Sequence, residues 1–312
     1  MRSSVPSATS ATVSTCTKKT MSESLNFVRD DVADYAASHR LHNLIGRATR
    51  FDRQPPLSDQ ALVDIGAHTR TLLVGLHADI AVSAAVLGQG ELEFVVDPEW
   101  RRLGIGTAML EQVLVDEPGG LLAWAHGDHP AARALAASYG FVPVRTLLQL
   151  ALNPLSASPI VMPEGFVLSD GHDLDVAEWV TLNHRIFAAH PEQGRITEDD
   201  LTSRLTERWY DEGDMLLLRN RAGTLVGYNW LKMEPGTSTG EIYVLGIAQE
   251  ESGHGLGRAL VAVGLTRMLA RGRTAATLYV DADNRAAFHI YRSLGFTTVS
   301  SDVQYRRHAA AS

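Results

Sequence analysis

An intrachain disulfide is impossible here, because Cys16 is the only cysteine in the chain. A cytoplasmic location is therefore the default expectation. Lysine is almost missing too: after Lys19, Lys232 is the only one, and arginine carries the rest of the basic charge. Basic excess is absent, with a formal net charge of −8. That argues against nucleic acid as a partner, since such a binder needs a basic face. No apolar run approaches the roughly 20 residues that cross a bilayer, so no membrane partner is expected. No grouping of His, Cys and carboxylates has metal-ligand spacing, and no metal is expected.

What remains supports real cores. The 312 residues are 45% hydrophobic, enough for two domains of ordinary size. Residues 1–22 are rich in Ser, Thr and Ala, with no period and no apolar segment of the secretory kind. They read as a disordered extension, and Met21 could serve as the start.

The chain is organised around Glu241 to Gly257. Its first part, Glu241-Ile-Tyr-Val-Leu-Gly-Ile-Ala248, alternates β-forming residues and ends in a polar turn. Ser252-Gly-His-Gly-Leu-Gly257 then opens a helix. Such a loop aims successive backbone N–H groups into one concavity, and the helix N-terminus adds partial positive charge. The expected guest is a pyrophosphate. A second copy, Val95 to Gly106 with Arg101-Arg102-Leu103-Gly104-Ile105-Gly106, lies roughly 150 residues earlier, again between strand and helix. Each copy is followed by a short helix ending in Gly-Phe, Gly140-Phe141 and Gly295-Phe296. A repeat of that length is a domain duplication.

The pattern predicts the same order of elements twice. In the first half, helices are expected over 32–46, from about 58, over 103–115 and over 130–139. Strands are expected over 71–76, 80–87, 92–96, 121–125 and 144–152. Ser58 or Asp59 is the expected N-cap of the second helix. In the second half, helices are expected over 176–187, 197–208, 256–271 and 284–294, with Thr197 and Asp200 at capping-box spacing. The strands fall at 166–168, 215–219, 225–233, 241–247, 274–280 and 298–307. Each half is expected to be an α+β domain, a mostly antiparallel mixed sheet with helices on both faces. The expected domains are 23–153 and 164–312, joined by a linker over 154–163.

Arg101-x-x-Gly104-x-Gly106 resembles the acetyl-CoA signature of the GCN5-related N-acetyltransferases (GNAT), as does the order of elements around it. The resemblance covers both halves. It is tighter to the tandem members that form mycothiol, through Trp124-Ala-His-Gly127, Ala189-His-Pro-Glu-Gln-Gly194, Trp230-Leu-Lys232, Gly240 to Gly246, and Leu278-Tyr-Val280 with Asp283-Asn284. The resemblance implies transfer of acetyl from acetyl-CoA, a co-substrate, to the cysteinyl amine of a cysteine–glucosamine–inositol conjugate, by a monomer. It implies that Val244, Leu245 and Gly246 line the acetyl arm. The diphosphate then lies on Ser252, Gly253, His254, Gly255, Leu256, Gly257 and Arg258, with Asn284 nearby. The counterparts in the first half are Phe94, Val95 and Val96, then Arg102, Leu103, Gly104, Ile105, Gly106 and Thr107. Asp59, Glu192, Lys232, Glu241 and Tyr279 match positions that contact the acceptor. The second loop departs from the pattern: Ser252 stands where Arg or Gln is expected, and His254 sits inside it. Since backbone amides do the binding, the cradle should survive.

Acetyl transfer to an amine needs a neutral nucleophile, a polarised carbonyl and a protonated leaving sulfur. Backbone N–H groups of the strand before the glycine loop can serve the second need. Glu241, on that strand, is the candidate base, acting through a water or by holding the neutral amine. By itself it would equally be a strand-end charge facing solvent. Tyr291 is the candidate acid, two helical turns from Asn284 and on the same helix face; otherwise it is a core tyrosine. Aligning the halves places Tyr291 on Ala136, Asn284 on His129, Tyr279 on Trp124 and Glu241 on Glu91. The first half keeps the anion cradle and lacks the phenol, so only the second is expected to turn over. Two other functions fit the residues: a tandem acetyltransferase for another amine, such as an aminoglycoside or a peptide N-terminus, and a non-catalytic acetyl-CoA-binding regulator.

Overall fold

A computed structural model describes residues 25–157, 159–190 and 193–309. The N-terminal extension with Cys16 and Met21, and also Glu192, lie outside these described residues. The chain forms two compact units, one built from residues up to Val144 plus Val303 onward, the other from Arg145–Asp302.

In the first unit the strands are β1 (Leu25–Asp30), β2 (Thr71–His77), β3 (Ile80–Gly88), β4 (Glu91–Val96) and β5 (Leu121–Ala125). The helices are α1 (Tyr35–Asp52), α2 (Asp59–Gly66), α3 (Ile105–Asp116) and α4 (Pro130–Ser138). β1 through β4 pair antiparallel in sequence order, and β4 pairs parallel with β5. Ser58 is the N-cap of α2, its hydroxyl accepting from Ala61 N at 3.1 Å. Asp59 is therefore the first helical residue and not the cap. α1 extends past Gly46 to Asp52, because Leu41, Leu44 and Ala48 keep one buried stripe through that glycine.

The second unit repeats this order with β7 (Phe166–Ser169), β8 (Met215–Asn220), β9 (Leu225–Lys232), β10 (Thr239–Ile247) and β11 (Ala275–Asp281). Its helices are α5 (Val176–Ile186), α6 (Glu198–Arg204), α7 (Leu256–Ala270) and α8 (Arg285–Ser293). Thr197 and Asp200 form the expected reciprocal capping box at the start of α6. That helix ends at Arg204, four residues earlier than the pattern suggested. β7 through β10 pair antiparallel, and β10 pairs parallel with β11.

The closing strands are exchanged. β6 (Val142–Leu152), at the end of the first half of the sequence, pairs antiparallel with β11, from Leu147–Asp281 to Leu152–Ala276. β12 (Thr297–Arg307), at the end of the second half, pairs antiparallel with β5 over Val303–Arg307. Periodicity shows that a strand exists but not which neighbour it takes, so the exchange is invisible in the sequence. Burial fixes it. Leu150 and Leu152 enter the core of the second unit beside Ile242, Leu278 and Phe296. Val303 and Tyr305 enter that of the first unit beside Leu121 and Phe141. Each fully buried leucine is worth about 1.5–3 kcal/mol.

The second sheet is covered on both faces. Trp179, Val180 and Leu182 of α5 and Leu201 of α6 pack on Tyr228, Trp230 and Val244. Val261, Leu265 and Met268 of α7, with Tyr291 of α8, pack on Leu150, Ile242, Ala276, Leu278 and Val280.

Candidate active site

The parallel pairing of β10 with β11 is short. It runs from Thr239–Ala275 to Ile242–Leu278, yet β10 continues to Ile247 and β11 to Asp281. Past Ile242 the two strands part, and main-chain groups on that edge of β10 have no strand partner among the described residues. The other edge of β10 carries a bulge between Ile242 and Val244. Tyr243 meets Trp209 and Trp230 at ring-centroid distances of 5.2 and 5.4 Å, and its neighbour Val244 packs in the same cluster. Two consecutive side chains on one face mark the extra residue of a bulge, which re-aims backbone groups locally. The bulge thus falls where β10 has left β11, the stretch on which backbone N–H groups could meet a carbonyl.

Glu241 and Tyr291 lie on opposite faces of the β10/β11 pair. Glu241 pairs with Thr277 across the parallel ladder and with Lys232 across β9. Leu278 and Val280 point to the α7/α8 face. Alternation along the strand therefore turns Thr277, Tyr279 and Asp281 to the other side, which Glu241 shares. Lys232 Nζ lies 3.3 Å from Glu234 and 5.6 Å over the Trp209 ring. Tyr279 is half exposed, and its hydroxyl accepts from Gln149 Nε2 at 3.0 Å. Arg145 donates from Nε to Asp281 Oδ1 at 2.7 Å and from Nη2 to Oδ2 at 3.3 Å, and Nη2 lies 3.1 Å from His190 Nε2. A polar rim of Lys232, Glu241, Tyr279, Asp281, Arg145 and His190 therefore occupies one face.

Tyr291 belongs to the other face. It is 6% exposed, edge-on to Phe296 at 5.8 Å, and burial pushes its phenol up to about 12. It stays protonated at neutral pH and so keeps a proton to donate. Asn284 caps α8, its side chain accepting from Ala287 N at 3.1 Å.

The anion cradle fits a diphosphate. Gly253 and Gly255 take φ of +86° and +80°, and a Cβ at either would point into open space. Side chains other than glycine cost about 1–2 kcal/mol in that region. Gly255 is the N-cap of the 15-residue α7, with no side-chain cap bond. The first N–H groups of that helix are thus left to a ligand. Of the side chains predicted here, Val244 and Leu256 are buried in the core, so those two residues can contribute only main chain. His254 is exposed, its Nδ1 lying 3.2 Å from Glu251 O, and Arg258 reaches Ser293 Oγ.

The first unit keeps the plan but differs in the residues at the corresponding positions. β4 and β5 also part early, after Leu92–Ala123, but β4 has no bulge against β3. Thirteen positions separate Glu91 from Gly104, and fourteen separate Glu241 from Gly255. The extra residue is the bulge, a signal that was countable in the sequence. Gly104 caps α3 at φ +89°, but Arg102 takes φ +67° where the second loop has Gly253. Arg101 is held by Asp52 through two bonds of 2.7 and 2.6 Å and donates to Val96 O at 3.0 Å. A buried carboxylate, Glu93, accepts from Ser58 N at 2.6 Å and Ser58 Oγ at 2.7 Å and lies 3.0 Å from His126 Nε2. Burial pushes Glu93 up, yet His126 and Ser58 together hold it below the usual carboxylate range. With its oxygens engaged, it is structural. Ala136, where the second unit has Tyr291, is buried and brings no hydroxyl.

Comparison with known proteins agrees with this geometry. Residues 178–296 match the model of the acetyltransferase (GNAT) family. The chain is 42% identical over 275 residues to a mycothiol acetyltransferase of Clavibacter sepedonicus, covering 85% of this chain and 90% of that protein. It is 41% identical over 269 residues to one of Thermomonospora curvata, covering 83% and 90%. Among solved structures, a tandem GNAT protein from the clavulanic acid biosynthesis pathway superimposes with a TM-score of 0.71 at 19% identity, covering 92% of this chain and 99% of that one. A GCN5-related N-acetyltransferase from Sphaerobacter thermophilus gives 0.69 at 20% identity, covering 90% and 95%. What those neighbours share with it is the fold. The chain belongs to the mycothiol acetyltransferases, a family of tandem GCN5-related N-acetyltransferases.

Proposed function

We propose that the second unit transfers acetyl from acetyl-CoA to the cysteinyl amine of a cysteine–glucosamine–inositol conjugate, giving mycothiol and CoA. The observation that carries this is the parted β10/β11 pair, bulged on one edge and flanked by Glu241 and a buried Tyr291. Acetyl-CoA supplies the activated carbonyl. Gly253 to Gly257 hold its diphosphate through main-chain N–H groups, and donors around Tyr243–Leu245 polarise the carbonyl. Glu241 holds the incoming amine and takes its proton, directly or through a water, as the N–C bond forms. The C–S bond then breaks, and Tyr291 donates toward the departing sulfur. With the phenol at about 12, full transfer to a thiolate of ordinary basicity near 8.5 is uphill by roughly 5 kcal/mol. Tyr291 therefore acts first as a hydrogen-bond donor. Transfer completes because the same low-dielectric setting raises the sulfur's basicity. Glu241 gains one proton and Tyr291 gives one, so exchange with solvent restores both.

Lys232 and Tyr279 offer a cation and a hydroxyl to a sugar or inositol ring. Asp59 is proposed as a weaker acceptor contact, and Glu192 as a partner for a hydroxyl or the ammonium. The first unit is proposed to bind acetyl-CoA through Phe94–Val96 and Arg102–Thr107, or to serve the fold, without turnover. The test is thiol release above the acceptor's own thiol on mixing acetyl-CoA with the conjugate. Release with the conjugate and little with an aminoglycoside or a peptide amine supports the reading. Equal release with all three, or none with the conjugate, overturns it.

A further inference from the structure

The strand that the first half of the sequence sends into the second unit does more than close the sheet. Past Leu278, β11 has left β10, so its lateral neighbour there is β6. Tyr279 and Asp281 lie on that stretch, and each is gripped from β6. Gln149, paired with Tyr279, donates to its hydroxyl at 3.0 Å. Arg145 forks onto both oxygens of Asp281 at 2.7 and 3.3 Å. The same guanidinium lies 3.1 Å from His190, which stands in the connection after α5. Arg145 thus ties together three segments distant in sequence, on the face that carries Glu241.

We propose that Arg145 and Gln149 are positioning residues for the amine acceptor. They act through Asp281, His190 and Tyr279, so that the non-catalytic half of the sequence sets acceptor specificity in the catalytic unit. The inference rests on the reading that the Glu241 face receives the acceptor. A polyol carrying an ammonium is selected by donors and acceptors fixed in direction. Past the end of the β10 pairing, the contacts from β6 help to hold the Tyr279 phenol and the Asp281 carboxylate in direction. Both grips come from β6, and both lie on the face away from Tyr291 and the α7 cradle. They should therefore affect the acceptor and leave the thioester alone.

The experiment is steady-state kinetics of the full chain and of Gln149→Leu, Arg145→Gln and Arg145→Lys, with acetyl-CoA and the cysteine–glucosamine–inositol conjugate. Loss of one directed hydrogen bond predicts an acceptor KM about tenfold higher. The KM for acetyl-CoA should stay within about twofold. Arg145→Lys should not rescue, because an ammonium cannot make the two-pronged contact. If Arg145→Gln fails to fold, Gln149→Leu, at a half-buried position, decides alone. An unchanged acceptor KM, or both KM values rising together, overturns the inference while the proposed function stands. A wild-type protein that does not acetylate the conjugate overturns the proposed function, and the inference with it.

Discussion

Replacing Tyr291 with phenylalanine removes one oxygen and nothing else. The ring stays 5.8 Å from Phe296 in a site that is 6% exposed. Packing is preserved, so stability near neutral pH should change by less than about 1 kcal/mol. Catalysis should not survive so well. Removing a positioned proton donor typically costs 10²–10⁴-fold, so kcat should fall by about 100-fold or more with both KM values nearly unchanged. The phenol also leaves a signature at high pH. Its folded value, about 12, is raised above the unfolded value of 10 by burial. Folding therefore favours the protonated form. That contribution is complete below pH 10 and is lost as the pH rises through 12. Linkage makes the loss about 1.4 kcal/mol by pH 11. Other buried tyrosines, such as Tyr228, are common to both proteins. The difference between wild type and variant therefore isolates Tyr291. Denaturant unfolding at pH 9 and 11, beside thiol-release kinetics at pH 7.5, measures both effects. A folded variant with kcat within threefold of wild type would refute the acid role. Equal alkaline losses of stability in the two proteins would refute the burial argument.

Glu241→Gln keeps the size of the side chain and removes its basicity, so kcat should fall at least about 100-fold at neutral pH, with a partial return at higher pH as free amine accumulates. Gly255→Val forces a β-branched residue into φ +80° where the diphosphate would sit. It should raise the KM for acetyl-CoA at least about tenfold, whereas Gly104→Val in the first unit should leave turnover within about threefold. Leu150→Ala, at a position with no exposure on the exchanged strand, should destabilise the second unit by about 2–5 kcal/mol in thermal unfolding. Replacing Val142, exposed on the same strand, should have little effect.

Much of the fold was legible because its signals are local. The Thr197/Asp200 capping box, the glycine N-cap of α7 and the duplicated strand–loop–helix order depend on neighbours a few residues apart; α3 begins two residues later than its expected start at 103, after Gly104. β1 gives little sequence signal, because Leu25–Asp30 is short and four of its six residues are only half buried. Gly46 reads as a helix end, yet the buried stripe carries α1 through it to Asp52. Strand exchange leaves no local signal, because pairing choice is a tertiary property. For the same reason the Arg145–Asp281 clasp, whose members are 136 positions apart, gave no signal. Among the candidate residues, the cradle glycines could be chosen from spacing and conformational need. Tyr291 could be chosen from helical phase, but its burial and raised pKa could not. The bulge at Tyr243 was present as one surplus residue and is visible only when the two halves are counted against each other.

The most direct test of the claim that chemistry lies between Glu241 and Tyr291 is a crystal structure of the full chain with bound acetyl-CoA. The diphosphate should lie on the N–H groups of Gly253 to Gly257. The sulfur should lie within about 3.5 Å of the Tyr291 hydroxyl, and the carbonyl oxygen about 3 Å from a main-chain N–H of Tyr243–Leu245. A thioester lying on the Arg101–Gly106 loop alone, or a sulfur facing away from Tyr291, would contradict it.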